Sequence, residues 1–276
     1  MITAFRIRPL DGAEPFVFDL IPSETASQYI LLDAKGLDPG AISPIGYGNS
    51  TDGVQYTTMQ SNERIIDLTI GLNPYATGDL VFNSLRARLY SAIARGRTPN
   101  VYFDVMINET ISATVPGLIT NVSAPLFTKT PELSLTITCL SPYLEAPEDT
   151  MALFELIEPA NVRLEETQSS VPTGFELAVD FILASSSWGI RDPDNAWFFN
   201  IEHDFIASDD LRISSVADNL SVSVTRSGLT TYIADKVVSG STWPLIFIGE
   251  NIFTLMADPA LYNLGNVVYR RKFWGL

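Results

Sequence analysis

The chain has 276 residues, of which 46% are hydrophobic, and a formal net charge of −15. This length predicts two domains, and the apolar content is sufficient to give each of them a core. The negative charge excludes a protein that grips nucleic acid or an anionic membrane through a basic surface, although it permits a channel through which DNA passes without adhering. The single cysteine excludes an internal disulfide and a cysteine zinc site.

The beginning of the sequence lacks a basic segment followed by a long apolar one, so it does not resemble a secretory signal. No apolar run approaches the roughly 20 residues that a membrane helix needs. We therefore expect a soluble protein without a membrane segment, whose cysteine content suits synthesis in a reducing cytoplasm.

One amphipathic helix is predicted in the first half of the chain. Residues 79–94 carry apolar side chains at i, i+4 and i+8, the spacing of a helix with one buried face. Thr77 or Asp79 can cap its start, and Gly96 is a suitable C-terminal stop.

The remainder of the first half is predicted to be strand. Residues 65–70 and 101–107 are rich in β-forming side chains, and residues 133–139 alternate between apolar and polar. Cys139 lies on the apolar phase of that strand, so we expect a small core residue there. Prolines and acids follow in residues 140–149, which favours an exposed connection.

This connection places the predicted domain boundary at Pro147. Residues 1–147 are predicted to form an α+β domain, a β-sandwich that carries the helix and a hairpin. Residues 148–276 contain no convincing helix. Alternating segments at 175–183 and 220–224, separated by recurrent turn signals, predict an antiparallel β-sandwich there.

The chain contains one histidine, His203, in phase with the apolar residues of a predicted strand, and we interpret it as a packed or surface residue. Zinc-protease and phosphate-loop patterns are absent from the sequence. The four aspartates in turn-like segments fit local backbone hydrogen bonds, although calcium binding between loops stays open; they are Asp192, Asp194, Asp209 and Asp210. We predict no catalytic, cofactor-binding or metal-binding residues.

All four tryptophans lie in the second half, namely Trp188, Trp197, Trp243 and Trp274. In an all-β domain they fill the core or the strand ends, and this is the interpretation we favour. An exposed tryptophan patch would instead indicate a carbohydrate-binding module. A glycosidase is a third alternative, and it needs two acids about 5–9.5 Å apart in a cleft.

The C-terminal residues 266–276 are predicted to form a strand that ends in aromatic side chains. An aromatic end of this kind implies that Phe273 and Trp274 are docked, because unanchored termini are usually polar. Arg270, Arg271 and Lys272 form a cationic cluster, which we interpret as a solvated or interface face of the strand.

Three segments resemble motifs of siphophage distal tail proteins, the Dit family. They are the exit stretch 139–143 (Cys-Leu-Ser-Pro-Tyr), the turn and strand 247–253 (Phe-Ile-Gly-Glu-Asn-Ile-Phe) and the closing strand 269–275 (Tyr-Arg-Arg-Lys-Phe-Trp-Gly). Two positions depart from the family pattern: Ser141 replaces the usual acid, and Ile248 stands where the turn usually begins with proline. The order and spacing of the segments extend the resemblance over nearly the whole chain.

The resemblance implies a structural protein of the virion, not an enzyme, with an N-terminal belt domain and a C-terminal galectin-like domain. Such proteins form a homohexameric ring at the distal end of the tail. The ring joins the tail tube protein to the tail-tip hub, or tail-associated protein, and leaves a lumen for DNA. The C-terminal domains hold receptor-binding or fibre proteins, and assembly takes place in the host cytoplasm. No cofactor is implied.

The family architecture also implies which residues of the belt domain form the ring. The expected contacts are the helix face that bears Arg86, Arg88 and Arg95, and a hairpin around Pro116 and Gly117.

Overall fold

The computed structural model describes residues 2–9, 16–19, 29–38, 42–48, 54–61, 63–72, 82–95, 101–107, 110–123, 132–139, 141–158, 160–217 and 219–275. The helix among these residues is α1 (Phe82–Arg95). The strands are β1 (Ile2–Pro9), β2 (Phe16–Asp19), β3 (Tyr29–Lys35), β4 (Ile42–Gly48), β5 (Val54–Ser61), β6 (Arg64–Leu72), β7 (Val101–Ile107), β8 (Thr110–Ser123), β9 (Glu132–Cys139), β10 (Leu144–Glu145), β11 (Thr150–Ala152), β12 (Glu155–Glu158), β13 (Asn161–Glu166), β14 (Phe175–Phe181), β15 (Ser185–Arg191), β16 (Phe198–Phe205), β17 (Asp210–Ser214), β18 (Ser221–Arg226), β19 (Leu229–Tyr232), β20 (Gly249–Leu255), β21 (Tyr262–Tyr269) and β22 (Lys272–Phe273).

The chain divides into two compact units. The first unit comprises Met1–Pro147 together with Phe273–Leu276, and the second comprises Glu148–Lys272. The sequence interpretation assigned residues 273–276 to the second domain, whereas this division groups them with the first unit. The side chain of Phe273 packs against the apolar core of the first unit, which strand periodicity cannot reveal.

The first unit is built on a sheet that closes on itself. Its strand order is β22-β10-β8-β7-β1-β2-β3-β6-β9. A further pairing of β8 with β9 closes the part of the sheet from β8 to β9, while β10 and β22 continue from β8 outside this closure. The long strand β8 makes this closure possible, because its first half pairs with β7 and its second half with β9. The alternating apolar residues predicted at 65–70 and 133–139 face the enclosed core, where Cys139 is buried as expected.

The predicted helix at 79–94 is confirmed as α1, which the structure describes from Phe82 to Arg95. Residues 79–81 and the proposed caps at residues 77, 79 and 96 lie outside the described residues. Leu85, Leu89 and Ile93 are buried in the core of the first unit, as the i, i+4, i+8 pattern predicts. None of the described helices is long and apolar enough to cross a membrane.

The second unit is an antiparallel β-sandwich, as predicted. One sheet has six strands in the order β11-β21-β14-β17-β18-β19, and the other has five in the order β12-β13-β20-β15-β16. Buried side chains from both sheets form one apolar core, with Trp188, Phe175 and Phe199 among the largest. The strand predicted at 175–183 ends at Phe181. The next two residues, Ile182 and Leu183, lie outside the strand and are exposed.

Candidate functional site

The predicted ring residues occupy two places in the first unit. On α1, Arg88 is exposed and Arg86 is half-buried, one on each side of the buried apolar stripe. The helix is fixed in place by the hydroxyl of Tyr29, which donates to the backbone carbonyl of Leu85 at 2.9 Å. Burial raises the pKa of this tyrosine, and the positive charge of Arg88 opposes that rise. The side chain of Arg95 lies outside the described part of the structure.

The hairpin predicted at Pro116 and Gly117 is wrong. Both residues lie in the middle of β8, with Pro116 opposite Tyr102 and Gly117 between Val101 and Cys139 on the two neighbouring strands. A side chain at Gly117 would place its Cβ 3.0 Å from the carbonyl oxygen of Thr138. Position 117 therefore requires glycine because the strands pack closely where the pairing of β8 passes from β7 to β9. The glycine does not mark a turn.

A buried arginine anchors the C-terminal segment to the first unit. Arg64 is 3% exposed, and its guanidinium donates to backbone carbonyls of Asp38 and Pro142, both at 2.9 Å, and of Gly36 at 2.5 Å. It also donates to the carbonyl of Trp274. Burial lowers the pKa of Arg64, but an arginine retains its charge in proteins, so all its bonds here are charge-assisted.

The anchor brings together two of the segments that carry the family resemblance. Pro142 belongs to the exit stretch and Trp274 to the closing strand, and both accept bonds from Arg64. The ring of Tyr143 meets that of Trp274 edge-on, with centroids 5.1 Å apart. On the neighbouring strand, burial raises the pKa of the Cys139 thiol to about 12, which keeps it a neutral core residue.

Sequence reasoning missed a buried ion cluster on β1 and β7. Asp104 is fully buried and accepts from Arg6 Nε at 2.8 Å and from Arg8 Nη2 at 3.1 Å. The guanidinium of Arg8 also lies 5.0 Å from the ring centroid of Tyr102. In the sequence, Arg6 and Arg8 alternate with the apolar residues Phe5 and Ile7, which places the two arginines on one face of a strand. This pattern does not show that Asp104 is their partner.

The cationic cluster predicted near the C-terminus is held by acids of the second unit. Arg270 Nε donates to Asp149 at 2.8 Å, and Arg271 Nε donates to the fully buried Glu166 at 3.0 Å. Burial alone would raise the pKa of Glu166. Bonds from the Tyr269 hydroxyl, from two backbone amides and from Arg271 outweigh burial and hold that pKa below its usual value. Burial and this carboxylate raise the pKa of Tyr269 to about 12.

The turn that resembles the family motif is fixed by Asn251, which is nearly buried. Its side-chain oxygen accepts from the Phe247 amide at 2.8 Å, and its nitrogen donates to the carbonyls of Phe247 and Gly249. Gly249 has φ of +96°, a conformation that favours glycine. Ile248 is exposed, so the turn forms without the usual proline.

The tryptophans are packing residues, as we favoured. Trp188 is fully buried, and Trp197 and Trp243 are half-buried against the core of the second unit. Trp274 packs on Tyr143 in the first unit. The exposed tryptophan patch that would indicate a carbohydrate-binding module is therefore not formed by these residues.

The titratable residues of the second unit fit structural roles. His203 is half-buried with its ring edge-on to Phe205. Asp192 accepts backbone bonds within its own turn, and Asp209 binds Arg226 and the Ile206 amide. Within the described ranges, no three potential ligands come close enough to hold a metal ion.

No protein-family model matches the chain, and no curated protein matches it. Among solved structures, the chain resembles the Dit protein (gp 19.1) of SPP1, described as a paradigm of the hub adsorption apparatus in phages that infect Gram-positive bacteria. The TM-score is 0.68 at 13% identity, over 98% of this chain and 99% of that chain. It also resembles a chain of the phage P2 baseplate in its activated conformation with Ca, with a TM-score of 0.51 at 11% identity and full coverage of both chains. At these identities the likeness shows the shared fold.

Proposed function

We propose that this chain is a structural distal tail protein of a siphophage. In this proposal six copies form a ring at the end of the tail, between the tail tube protein and the tail-tip hub, and DNA passes through its lumen. The observation that carries the proposal is the likeness to the SPP1 Dit protein, which extends over 98% of the chain and includes both units. The protein is then a virion component, assembled in the host cytoplasm.

The first unit builds the ring in this proposal. Its candidate contacts are the α1 residues Arg86, Arg88 and Arg95 and the segment of β8 at Pro116 and Gly117. The large sheet of the first unit closes from β8 to β9 within one subunit, whereas β4 and β5 form a separate two-stranded sheet. Contacts between subunits would therefore use side-chain surfaces, loops and the β4–β5 pair more than the edges of the large sheet. The second unit, a galectin-like sandwich in this proposal, holds receptor-binding or fibre proteins.

Two physical features support a structural role. The net charge of −15 would let DNA move through a ring without adhering to it. The buried charges of the described residues are each neutralised or hydrogen-bonded inside one unit, which is how structural ion clusters are built; they are Arg64, Asp104, Glu166 and Asp209. We therefore assign no catalytic step to them.

The solution mass tests the proposal. Light scattering of the purified chain should give a hexamer of the 30.3 kDa subunit, about 182 kDa. Charge reversal at the exposed helix residue, Arg88→Glu, should lower that mass. Arg163→Glu, in an exposed ion pair of the second unit, is the matched control and should leave it unchanged. A hexamer that survives Arg88→Glu would remove α1 from the interface, and a protein that stays monomeric at every concentration would contradict the ring.

A further inference from the structure

The six-stranded sheet of the second unit ends in a strand whose outer edge is open. β19 is the last strand in the order, and it pairs with β18 alone among the strands that the structure describes. The hairpin between them turns at Ser227 and Gly228, whose φ angles of +51° and +80° are both positive, as in a type I′ turn. An open edge of this kind can accept a further strand, because its outward backbone groups lack a partner.

The hydrogen-bond pattern of the hairpin shows which backbone groups face outward. In an antiparallel pair, hydrogen-bonded and non-hydrogen-bonded positions alternate along the strand. The amide of Ile233 donates to a carbonyl of β18 at 2.9 Å, so Thr231 and Leu229, at steps of two residues before it, also turn their backbone groups towards β18. The N–H and C=O groups of Thr230 and Tyr232 therefore point away from β18 and offer two donors and two acceptors to a further strand.

A cleft lies on the inner side of this edge. On that side of the sheet Val224 is buried in the core, whereas Leu229 and Thr231 on the next strand are exposed, Leu229 to 72%. The cleft has a volume of about 410 Å³ and is also lined by Ile233 and, from the other sheet, by His203. This volume is within the range of about 300–1,000 Å³ that is usual for pockets in proteins. The apolar core of the sandwich therefore continues into a surface that no described strand covers.

The charge of the surroundings favours a basic occupant. Arg226, which also lines the cleft, is already neutralised, because its guanidinium donates to the carboxylate of Asp209 at 2.7 and 2.8 Å. Asp204, whose backbone carbonyl accepts from the same guanidinium, is exposed, as is Glu202. Residues 148–272 contain 18 acidic and 8 basic side chains. A second copy of this unit would therefore be repelled, whereas lysine and arginine side chains would be attracted.

We propose that the open edge of β19 binds an extended segment of another protein, in which apolar residues alternate with lysine or arginine. The segment adds a strand to the sheet through the outward backbone groups of Thr230 and Tyr232. Because the side chains of a strand alternate between two faces, its apolar side chains enter the cleft against Leu229 while its basic side chains remain in solvent. The inference goes beyond the proposed ring and is tested separately from it, because all residues of this edge belong to the second unit.

Fluorescence anisotropy of a labelled peptide tests the proposal on the full chain. The probe is the capped heptapeptide Lys-Val-Lys-Leu-Lys-Val-Lys, in about 0.15 M salt to limit unspecific attraction. Lys-Lys-Val-Leu-Val-Lys-Lys has the same composition without the alternation, so it should bind at least about tenfold more weakly. Glu-Val-Glu-Leu-Glu-Val-Glu keeps the alternation but reverses the charge, and it should not bind. Equal affinities for the two basic peptides, or no binding of the probe, would overturn the proposal.

Backbone methylation of the probe distinguishes strand addition from attraction of side chains alone. The N–H groups of alternate residues point to opposite sides of a strand, so one alternating set alone can reach the edge of β19. One methylated probe carries N-methyl groups on its valines and leucine, and the other carries them on its third and fifth residues. Methylation of one set should abolish binding, and methylation of the other should preserve it. Binding that survives in both peptides, or is lost in both, would contradict strand addition.

Two substitutions at the edge should weaken binding of the probe without loss of the fold. Thr230→Pro removes an N–H donor that faces outward, so the bonds between β19 and β18 are retained. Leu229→Ala removes the exposed apolar wall of the cleft. Each variant should weaken the affinity about tenfold or more. Leu156→Ala is the matched control, because Leu156 is 60% exposed on β12, an edge strand of the other sheet, and it should leave the affinity unchanged.

Hydrogen exchange and solution mass complete the test. Saturation with the probe should slow amide exchange in residues 229–233, and thermal unfolding should show that both edge variants are folded. Affinity that is unchanged in Leu229→Ala would overturn the proposal even if Thr230→Pro failed to fold. Self-association of the wild type that Thr230→Pro abolishes would also overturn it, because the occupant of the edge would then be a second copy of this chain.

Discussion

The guanidinium of Arg64 donates to the backbone carbonyl of Trp274, a residue 210 positions further along the chain. Through this bond, and through the packing of Phe273 in the first core, the last residues of the chain become part of the first unit. The C-terminal segment is therefore part of the fold of the first unit. Removal of the segment should destabilise the first unit and leave the second unit unchanged.

Loss of the Arg64 side chain should be strongly destabilising. Arg64→Met leaves several buried carbonyls without a donor, so we expect the free energy of unfolding to fall by about 3 kcal/mol. Lys35→Met, which removes an exposed cation of the same unit, should leave the unfolding curve unchanged. Urea denaturation followed by circular dichroism measures both variants. Equal stabilities for the two would show that the Arg64 bonds contribute nothing.

Deletion of Phe273–Leu276 should loosen the first unit alone. The deletion removes the carbonyl that Arg64 binds and the ring that packs on Tyr143, so backbone amides in β6 and in residues 141–145 should exchange faster. Hydrogen exchange read by mass spectrometry should show no change in the six-stranded sheet of the second unit. Faster exchange spread evenly over both units would contradict the assignment of the segment to the first one.

Alanine substitutions at two glycines with positive φ should distinguish the cost of backbone strain from the cost of a steric clash. Gly36 has φ of +85°, and a Cβ there would lie 1.9 Å from the carbonyl oxygen of Ile65, whereas Gly228 has φ of +80° with nothing within 4 Å. Gly228→Ala should cost only the left-handed backbone strain, about 1 kcal/mol. Gly36→Ala adds displacement of the β6 backbone, and the total should exceed about 3 kcal/mol. Similar unfolding free energies for the two variants would refute the predicted steric clash.

The stability of the second unit should depend on pH through Glu166. Its folded-state pKa is held below the usual value, so its contribution to stability is present above the unfolded-state pKa of about 4.3 and is lost as the pH falls through the lower folded-state pKa. Glu166→Gln should therefore destabilise by about 2–3 kcal/mol at pH 7. The difference from the wild type should shrink as the pH is lowered below about 5.

Thermal unfolding of both proteins between pH 3 and pH 7 measures this effect. Glu165→Gln, at the exposed neighbouring position, removes the same formal charge and serves as the control. A difference between wild type and Glu166→Gln that stays constant over the whole range would rule out ionised Glu166 as the stabilising species.

Local patterns predicted the elements of this fold better than their arrangement. The strand predicted at 101–107 has the observed bounds of β7, and α1 and the buried Cys139 are confirmed as well. These features depend on side-chain periodicity within one segment, which the sequence displays directly.

The features that were wrong or missed depend on distant parts of the chain. We predicted a turn at Gly117 because glycine is common in turns. The structure shows that glycine is required there by close packing against β9, whose residue Thr138 lies more than twenty positions further along the chain. Asp104 pairs with Arg6, 98 residues away. The sequence of one segment does not show which distant segment it will contact in the folded protein.

Negative-stain electron microscopy of the purified chain, at a concentration where light scattering reports its largest species, tests the ring most directly. We predict class averages with six-fold symmetry and a central hole. Rings of another symmetry, closed particles without a hole, or only 30.3 kDa monomers would contradict the proposal that this protein forms the distal ring of a phage tail.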